Sequence, residues 1–344
     1  MTGIHICWVM LVMTLGACDV VATSATEQAG TEMQGTEMQG TEMQGMAMQG
    51  MRFGNATLSG DALQHVRVER GEVVAERGST TLHGAALVGA HFHAEVRNLA
   101  VSPPVTAVLE YRVTAIAPEL SQYDPTYTGN TFLYTLEQWV DDSGSWQPAC
   151  PADADGRRVA IPLAAIWDEH GDRIESSTLF TFGCTTGVIA KCYRWGYRPW
   201  VTGYGDLTAM HWTCTRLARA DYCGIGVPHT RNGTTINVWD TLPAPGPIQR
   251  RGGLLPPLGM TQRDGGLLSP LVMLFEAGWD TGGAVCLSHS RWLADDGLEL
   301  AQLCPERLVP PGLGQTVCDT VGQVLGFNPN ARMFNEAYLN LVGP

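Results

Sequence analysis

The chain has 344 residues, of which 44% are hydrophobic, and a formal net charge of -13 at pH 7. This length accommodates two domains, and the apolar fraction is that of a globular protein with a real core. The acidic balance excludes a nucleic-acid-binding protein, which would carry a basic surface.

Residues 4–17 (IHICWVMLVMTLGA) form an apolar run that ends in small residues. The run is too short to span a membrane and has the pattern of a signal-peptide core. It ends in Leu15-Gly16-Ala17-Cys18, which resembles the lipobox of bacterial lipoproteins, where the cysteine becomes the acylated first residue of the mature chain. We therefore expect a signal peptide at 1–17 and a membrane anchor through lipid on Cys18. Ordinary cleavage nearby, with Cys18 unmodified, is the alternative.

A polar tether at 18–30 leads into a tandem repeat. TEMQG occurs three times over 31–45, MAMQG follows at 46–50, and an apolar residue recurs every fifth position as far as Val73. This resembles the pentapeptide-repeat family, whose chains wind a right-handed, four-sided β-solenoid. The resemblance implies a short solenoid over 31–75, although short arrays of stacked coils are only marginally stable. For 31–50 the alternative is a linker without fixed structure that arose by repeat expansion.

Residues 82–149 carry the alternating pattern of β-strands. Three segments, 91–97, 105–115 and 131–140, alternate apolar and polar residues, which predicts a small antiparallel β domain, sandwich-like in form. His91 and His93 lie on the same face of the first strand, a geometry that can supply two ligands to a metal ion. Because no third ligand is evident near them, two half-exposed strand histidines are the ordinary interpretation.

The longest amphipathic helix begins after Asp206, which is a good N-cap residue, and ends at RADYCG, residues 219–224. Its periodicity places His211 and Cys214 on the inner face and Arg216 and Arg219 on the outer face. A glycine-rich turn follows the helix.

Asp221 breaks a local rule, because a carboxylate at the C-terminus of a helix faces the negative end of the helix dipole. One compensation is an Asx-type turn, in which Asp221 accepts N–H groups from residues 223–226. The other is a functional role as a general base or a ligand contact. His229, six residues after Cys223, and His289 are the other weak candidates for a catalytic site.

Three further elements follow in the C-terminal part. Asn232-Gly233 predicts a type I′ hairpin between 227–231 and 234–239. Strand patterns occur at 271–279 and 284–292, and a last helix is predicted at 331–341.

Eight cysteines lie in the folded part: Cys150, Cys184, Cys192, Cys214, Cys223, Cys286, Cys304 and Cys318. The number is even and no CxxC pair is present, which favours four disulfides in an oxidising compartment over a zinc site. The sequence does not select the pairing. A bridge from Cys304 to Cys318, around the prolines between them, is plausible. Parity argues against Cys223 as a catalytic nucleophile, because a free thiol there would leave another cysteine unpaired.

Several short motifs follow one another between residues 150 and 292. They are FTFGC at 180–184, AKC at 190–192, GYRPW at 196–200, His211, CTR at 214–216, RADYCG at 219–224 and HT at 229–230. Together they resemble the bacterial ADYC domain family, named after its Ala-Asp-Tyr-Cys motif. The resemblance implies a secreted or lipoprotein setting. It brings with it no activity, and therefore no catalytic residues.

The sequence thus predicts an α+β protein divided into six segments: signal peptide 1–17, tether 18–30, pentapeptide-like repeat 31–75, antiparallel β domain 82–149, disulfide-stapled ADYC domain 150–300 and C-terminal extension 301–344. We expect no cofactor and no nucleic-acid partner. The predicted location is the cell envelope, on the outer side of a bacterial membrane, as a periplasmic or surface lipoprotein.

The predicted function is that of an envelope protein, binding or structural, with an unidentified protein or polysaccharide partner. The aromatic residues Trp195, Tyr197 and Trp200 are expected at its surface. The alternatives are a secreted hydrolase with a site near Asp221 and His229, and an envelope protein that binds metal through His91 and His93.

Overall fold

The computed structural model describes residues 37–38, 51–98, 105–119, 131–168, 170–231, 234–242, 273–291, 304 and 318–338. The predicted signal peptide, the lipid site at Cys18 and the tether lie outside the described residues. None of the described helices is long and apolar enough to cross a membrane.

Antiparallel strands make up the N-terminal part of the described chain. The strands are β1 (Glu37–Met38), β2 (Arg52–Leu58), β3 (Asp61–Ala62), β4 (Gln64–Glu69), β5 (Glu72–Arg77), β6 (Thr80–His83), β7 (His91–Asn98), β8 (Val105–Pro118), β9 (Phe132–Val140), β10 (Ser145–Pro148), β11 (Ala160–Leu163), β12 (Ile166–Trp167), β13 (Arg173–Ile174) and β14 (Thr181–Cys184). Short 3-10 helices occupy Gly84–Leu87 and Asp141–Ser143. An eight-stranded sheet has the order β14-β11-β9-β8-β7-β2-β3, with β10 paired to β9. Strands β4-β5-β6 and β12-β13 form two smaller sheets.

The eight-stranded sheet curls back on itself around an aromatic core. The backbones of Phe53 and Phe180 exchange two hydrogen bonds of 2.9 Å, which join β2 to the start of β14. The rings of Phe53 and Phe182 meet edge to face, 5.0 Å apart, and both side chains are fully buried. Sheet and core therefore span the boundary predicted between residues 149 and 150, and the predicted β domain does not end there.

The solenoid prediction is wrong for residues 51–75. Strands β2 to β6 are paired antiparallel, whereas the coils of a solenoid stack in parallel. The chain reverses at Ser59-Gly60 and Arg70-Gly71, where both residues of each turn have positive φ, as in the type I′ turns of hairpins. Of residues 31–50, the structure describes only β1.

The C-terminal part combines helices with a second sheet. Its elements are α1 (Val188–Arg194), α2 (Leu207–Arg219), β15 (Thr234–Asp240), β16 (Met273–Asp280), β17 (Gly283–Leu287), α3 (Val321–Phe327) and β18 (Met333–Tyr338). The sheet is antiparallel, in the order β1-β15-β18-β16-β17. Helix α2 covers it, with Leu217 in one apolar cluster with Ile236, Trp279 and Met333. The described chain is thus mostly antiparallel β with three α-helices, in agreement with an α+β class.

Two predictions about this second sheet are wrong. Residues 227–231 form no strand, and β15 pairs with β18 and β1, so the predicted hairpin is absent. The predicted final helix is strand β18, which lies between β15 and β16. Its residues from Met333 to Ala337 are all buried, so they lack the apolar–polar alternation by which a half-exposed strand is recognised in a sequence. The presumed C-terminal extension therefore supplies a central strand.

All eight expected cysteines are joined in four disulfides: Cys150–Cys184, Cys192–Cys214, Cys223–Cys304 and Cys286–Cys318. The prediction of four disulfides is confirmed, whereas the bridge from Cys304 to Cys318 is wrong. Four disulfides fit a protein outside the reducing cytoplasm.

Candidate functional site

The RADYCG sequence begins where helix α2 ends. Asp206 caps the start of the helix, as predicted, by accepting the Ala209 N–H at 3.0 Å. At the other end Ala220 adopts a left-handed conformation with φ 52°. The N–H groups of Ala220 and Asp221 bond the carbonyls of Leu217 and Arg216, at 3.0 and 2.9 Å, which is the Schellman pattern. The turn places Asp221 beside Arg216, in the last turn of the helix.

The carboxylate of Asp221 is fully engaged. Its Oδ1 accepts the Ile225 N–H at 3.1 Å and its Oδ2 accepts the Gly226 N–H at 2.9 Å. The Arg216 guanidinium also donates to Oδ2, and the side chain is only 1% exposed. The predicted Asx-type turn is confirmed, and Arg216 offsets the unfavourable helix dipole.

Arg216 and Arg219, predicted on the outer face of α2, are both buried. The loop before β13 and the turn between β16 and β17 cover Arg216, which donates to the carbonyls of His170 (2.6 Å) and Thr281 (3.2 Å) and to the carboxylate of Asp172. Arg219 is buried as well and donates to the Gly226 carbonyl at 2.5 Å. Both arginines therefore link helix α2 to neighbouring segments through buried hydrogen bonds.

Tyr222 leads into a buried hydrogen-bond network that no local sequence pattern indicates. Its hydroxyl donates to Glu276 Oε1 at 3.0 Å and accepts the Arg291 N–H at 2.8 Å. Arg291 pairs with Glu276, with both side chains 0% exposed, and also donates to the carbonyls of Leu217 and Ala218 at the end of α2. The side-chain amide of Asn335 also donates to Glu276 Oε2, at 2.7 Å. Burial raises the pKa of Tyr222 well above its ordinary value.

The last two residues of the motif also face the interior. Cys223 is bridged to Cys304, so it offers no thiol. Gly224 has φ +68°, and an added Cβ would lie 1.7 Å from the Gly282 carbonyl oxygen. The motif thus joins helix α2, strands β16 and β17 and the segment at Cys304 into one unit.

The other catalytic candidates occupy different surroundings. His229 is half-buried, with its ring centroid 5.7 Å from that of Tyr222 and its backbone N–H bonded to the Arg219 carbonyl. His289 is half-buried and bonds the backbone of Phe275 and Ala337; burial lowers its pKa, which the nearby Glu276 carboxylate partly opposes. The Asp221 oxygens accept the N–H groups of Ile225 and Gly226 and pair with Arg216.

His211 is fully buried on the inner face of α2, as predicted. Its Nε2 lies 3.0 Å from the Ile189 carbonyl oxygen, and the rings of Tyr193 and Trp167 pack against it. Burial lowers the pKa of His211 to about 3, against a smaller opposing effect of the Ile189 carbonyl. The side chain is a neutral core histidine that ties α2 to α1.

The two strand histidines proposed as metal ligands are half-exposed on β7. His91 Nδ1 lies 2.6 Å from Glu110 Oε1. Among the described residues, no group of three or more His, Cys, Asp or Glu side chains is arranged to hold a metal ion.

The aromatic residues expected at the surface are mostly packed. Tyr197 is buried and donates to Asp240 at 3.0 Å, while Trp195 and Trp200 pack partly against the core. The structure instead places Trp139 and Trp146 half-exposed on one face of the eight-stranded sheet. The sequence feature that could have predicted this pair is the Asp-Asp-Ser-Gly turn at 141–144. The strands on either side of that turn place Trp139 opposite Trp146.

A family model, the ADYC domain, matches residues 84–293, which is more than half of the chain. No curated protein and no solved structure matches the chain. The family match starts well before residue 150, where the sequence analysis placed the start of the domain, and it includes most of the eight-stranded sheet. The chain belongs to the ADYC domain family.

Proposed function

We propose that the protein is an extracytoplasmic lipoprotein, anchored through lipid on Cys18, that acts by binding a partner rather than by catalysis. The observation that carries the proposal is the internal use of the whole Ala-Asp-Tyr-Cys motif. Asp221 builds a turn, Tyr222 lies in a buried network and Cys223 forms a disulfide. These residues support a rigid scaffold.

The four disulfides support the location. They join residues that are 22 to 81 positions apart in the sequence, and such bridges persist in oxidising compartments. A protein anchored at the outer side of a membrane can bind other components of the envelope. A scaffold made rigid by disulfides favours such binding, because it loses less conformational entropy when a partner binds.

The anchor is tested by comparing the wild type with Cys18→Ala after metabolic labelling with a palmitate analogue. We expect the wild type to incorporate label and to partition with membranes, and Cys18→Ala to do neither. Cys7→Ala is the matched control, because Cys7 lies in the predicted signal peptide, and it should behave as the wild type does. A Cys18→Ala protein that still carries label and stays with the membrane would refute the anchor.

The compartment is tested by peptide mapping without reduction on protein isolated from its source. Four disulfide-linked pairs are expected, and free thiols at these eight positions would contradict an oxidising location. Binding is tested with the intact protein in detergent, used as bait against solubilised envelope components. Bait with reduced and alkylated disulfides is the control, because it should lose the partner when the scaffold unfolds.

A further inference from the structure

We propose that the outer face of the eight-stranded sheet binds a neutral carbohydrate chain, with the indole of Trp146 as the stacking platform. This proposal rests on the proposed binding function and specifies the ligand. We call the residues that carry it the indole cluster: Trp139, Trp146, His91 and Arg112.

Strand register brings these residues onto one face. Trp139 lies opposite Trp146, and Glu137, two residues before Trp139, lies opposite Arg112. Arg112 in turn lies opposite His91. Alternate residues of a strand share a face, and the intervening Tyr111 and Leu136 are buried in the core. The indole cluster therefore lies on the face that points away from that core.

Trp146 lies across this face with one side of its ring covered. The guanidinium carbon of Arg112 is 4.5 Å from the centre of the indole, which is a cation–π distance. The rings of Trp139 and His91 lie 5.5 and 5.4 Å away, inclined by 66° and 88° to the plane of Trp146. Trp146 is partly exposed, and Arg112 lies over one of its two ring faces, so sugar stacking is assigned to the other face.

Acidic side chains hold the indole cluster in place. Glu137 lies 2.6 Å from the Arg112 guanidinium, and Glu110 lies 2.6 Å from the His91 ring. The Trp139 N–H donates to Asp141 at 2.8 Å. The positions are therefore fixed before a ligand arrives, which lowers the entropy lost on binding.

The chemistry of this face suits a sugar. The face of an indole is electronegative and attracts the weakly positive C–H bonds on the flat side of a pyranose ring. Around it, the carboxylate oxygens of Glu110, Glu137 and Asp141 can accept hydrogen bonds from the hydroxyl groups at the rim of the sugar. Glu110, Glu137 and Asp141 outnumber Arg112, the one permanent cation of the cluster, so the face repels polyanions. Between neutral and anionic chains, the neutral class is the one that this face fits.

The test is affinity electrophoresis of the intact protein in detergent through gels that contain hydroxyethyl cellulose, a soluble β-1,3-glucan, a mannan or dextran, with polygalacturonate as the anionic comparison. We expect at least one neutral polymer to retard the wild type and polygalacturonate not to do so. Trp146→Ala should weaken that association constant at least about 10-fold, whereas Trp146→Phe, which keeps a ring, should retain part of it. Phe327→Ala is the control, because Phe327 is 53% exposed and lies on α3, outside the sheet.

The proposal would be overturned if none of the neutral polymers retards the protein, whether or not polygalacturonate does, or if Trp146→Ala and the wild type are retarded equally. Preferential capture of a proline-rich peptide by this face would also overturn it, in favour of a protein ligand. A protein that binds none of the polymers but retains an envelope partner in the bait experiment would lose the carbohydrate assignment and keep the binding function.

Discussion

Arg216 and Asp221 form a buried ion pair beneath the C-terminus of helix α2, with side-chain exposures of 2% and 1%. The helix dipole makes this end unfavourable for a carboxylate. The positive charge of Arg216 and two backbone N–H groups offset that cost. This pair explains how an aspartate can occupy the second place of the Ala-Asp-Tyr-Cys motif.

Replacing Asp221 with Asn should lower the free energy of unfolding by about 1–3 kcal/mol, because it removes the buried negative charge beside Arg216, which keeps its ion pair with Asp172. Urea unfolding followed by circular dichroism measures the change. Asp61→Asn is the control, because Asp61 is exposed on β3, and it should change stability by less than about 0.5 kcal/mol. If the two variants are equally stable, the ion pair does not have the structural role assigned here.

Replacing Tyr222 with Phe should cost about 1–3 kcal/mol, because it removes the acceptor of the buried Arg291 N–H and a donor to Glu276. Tyr111→Phe provides the comparison, since that hydroxyl makes one long, partly buried bond of 3.3 Å to Gln138. Urea unfolding should rank Tyr222→Phe as the more destabilised variant. The reverse ranking would argue against the buried network as a determinant of stability.

Replacing Gly224 with Ala should destabilise the protein by about 3 kcal/mol or more, since it combines a left-handed conformation with overpacking. The new Cβ would lie 1.7 Å from the Gly282 carbonyl oxygen. Gly78→Ala separates the two effects, because Gly78 has a similar φ of +59° and no atom within 4 Å of an added Cβ. It should cost only about 1–2 kcal/mol. Equal thermal stability of the two variants would mean that Gly224 and Gly282 are not in close contact.

His211 should make the protein less stable in acid. Its pKa is about 3 in the folded state and near 6.5 when unfolded, so between these values the unfolded chain binds the proton and stability falls as the pH falls. At pH 4.5 this one group should remove about 2.5 kcal/mol relative to pH 7. Urea unfolding at both pH values measures the loss in the wild type and in His211→Gln, which lacks the titrating ring. If the losses are the same in both proteins, His211 is not the source.

Features encoded within a few residues could be read from the sequence. Helix α2 and its cap at Asp206 follow from local periodicity and one side-chain hydrogen bond. The turn at Asp221 follows from a carboxylate close to flexible glycines. The number of disulfides follows from an even cysteine count. None of these inferences needs to know which distant segments meet.

Pairings between distant segments were decided only in the tertiary structure. The apolar five-residue period continues through 51–75, yet the positive φ values at Ser59 and Arg70 turn the chain into hairpins. Residues Met333–Tyr338 form a central strand because β15 and β16 lie on either side of them. Arg216 is internal because segments at Asp172 and Thr281 cover it, and Trp146 lies opposite Trp139 only because β10 pairs with β9. The amino-acid sequence determined the local conformations and the disulfide count, whereas contacts between residues far apart in the chain decided what each surface covers or exposes, because burial depends on the partner as well as on the residue.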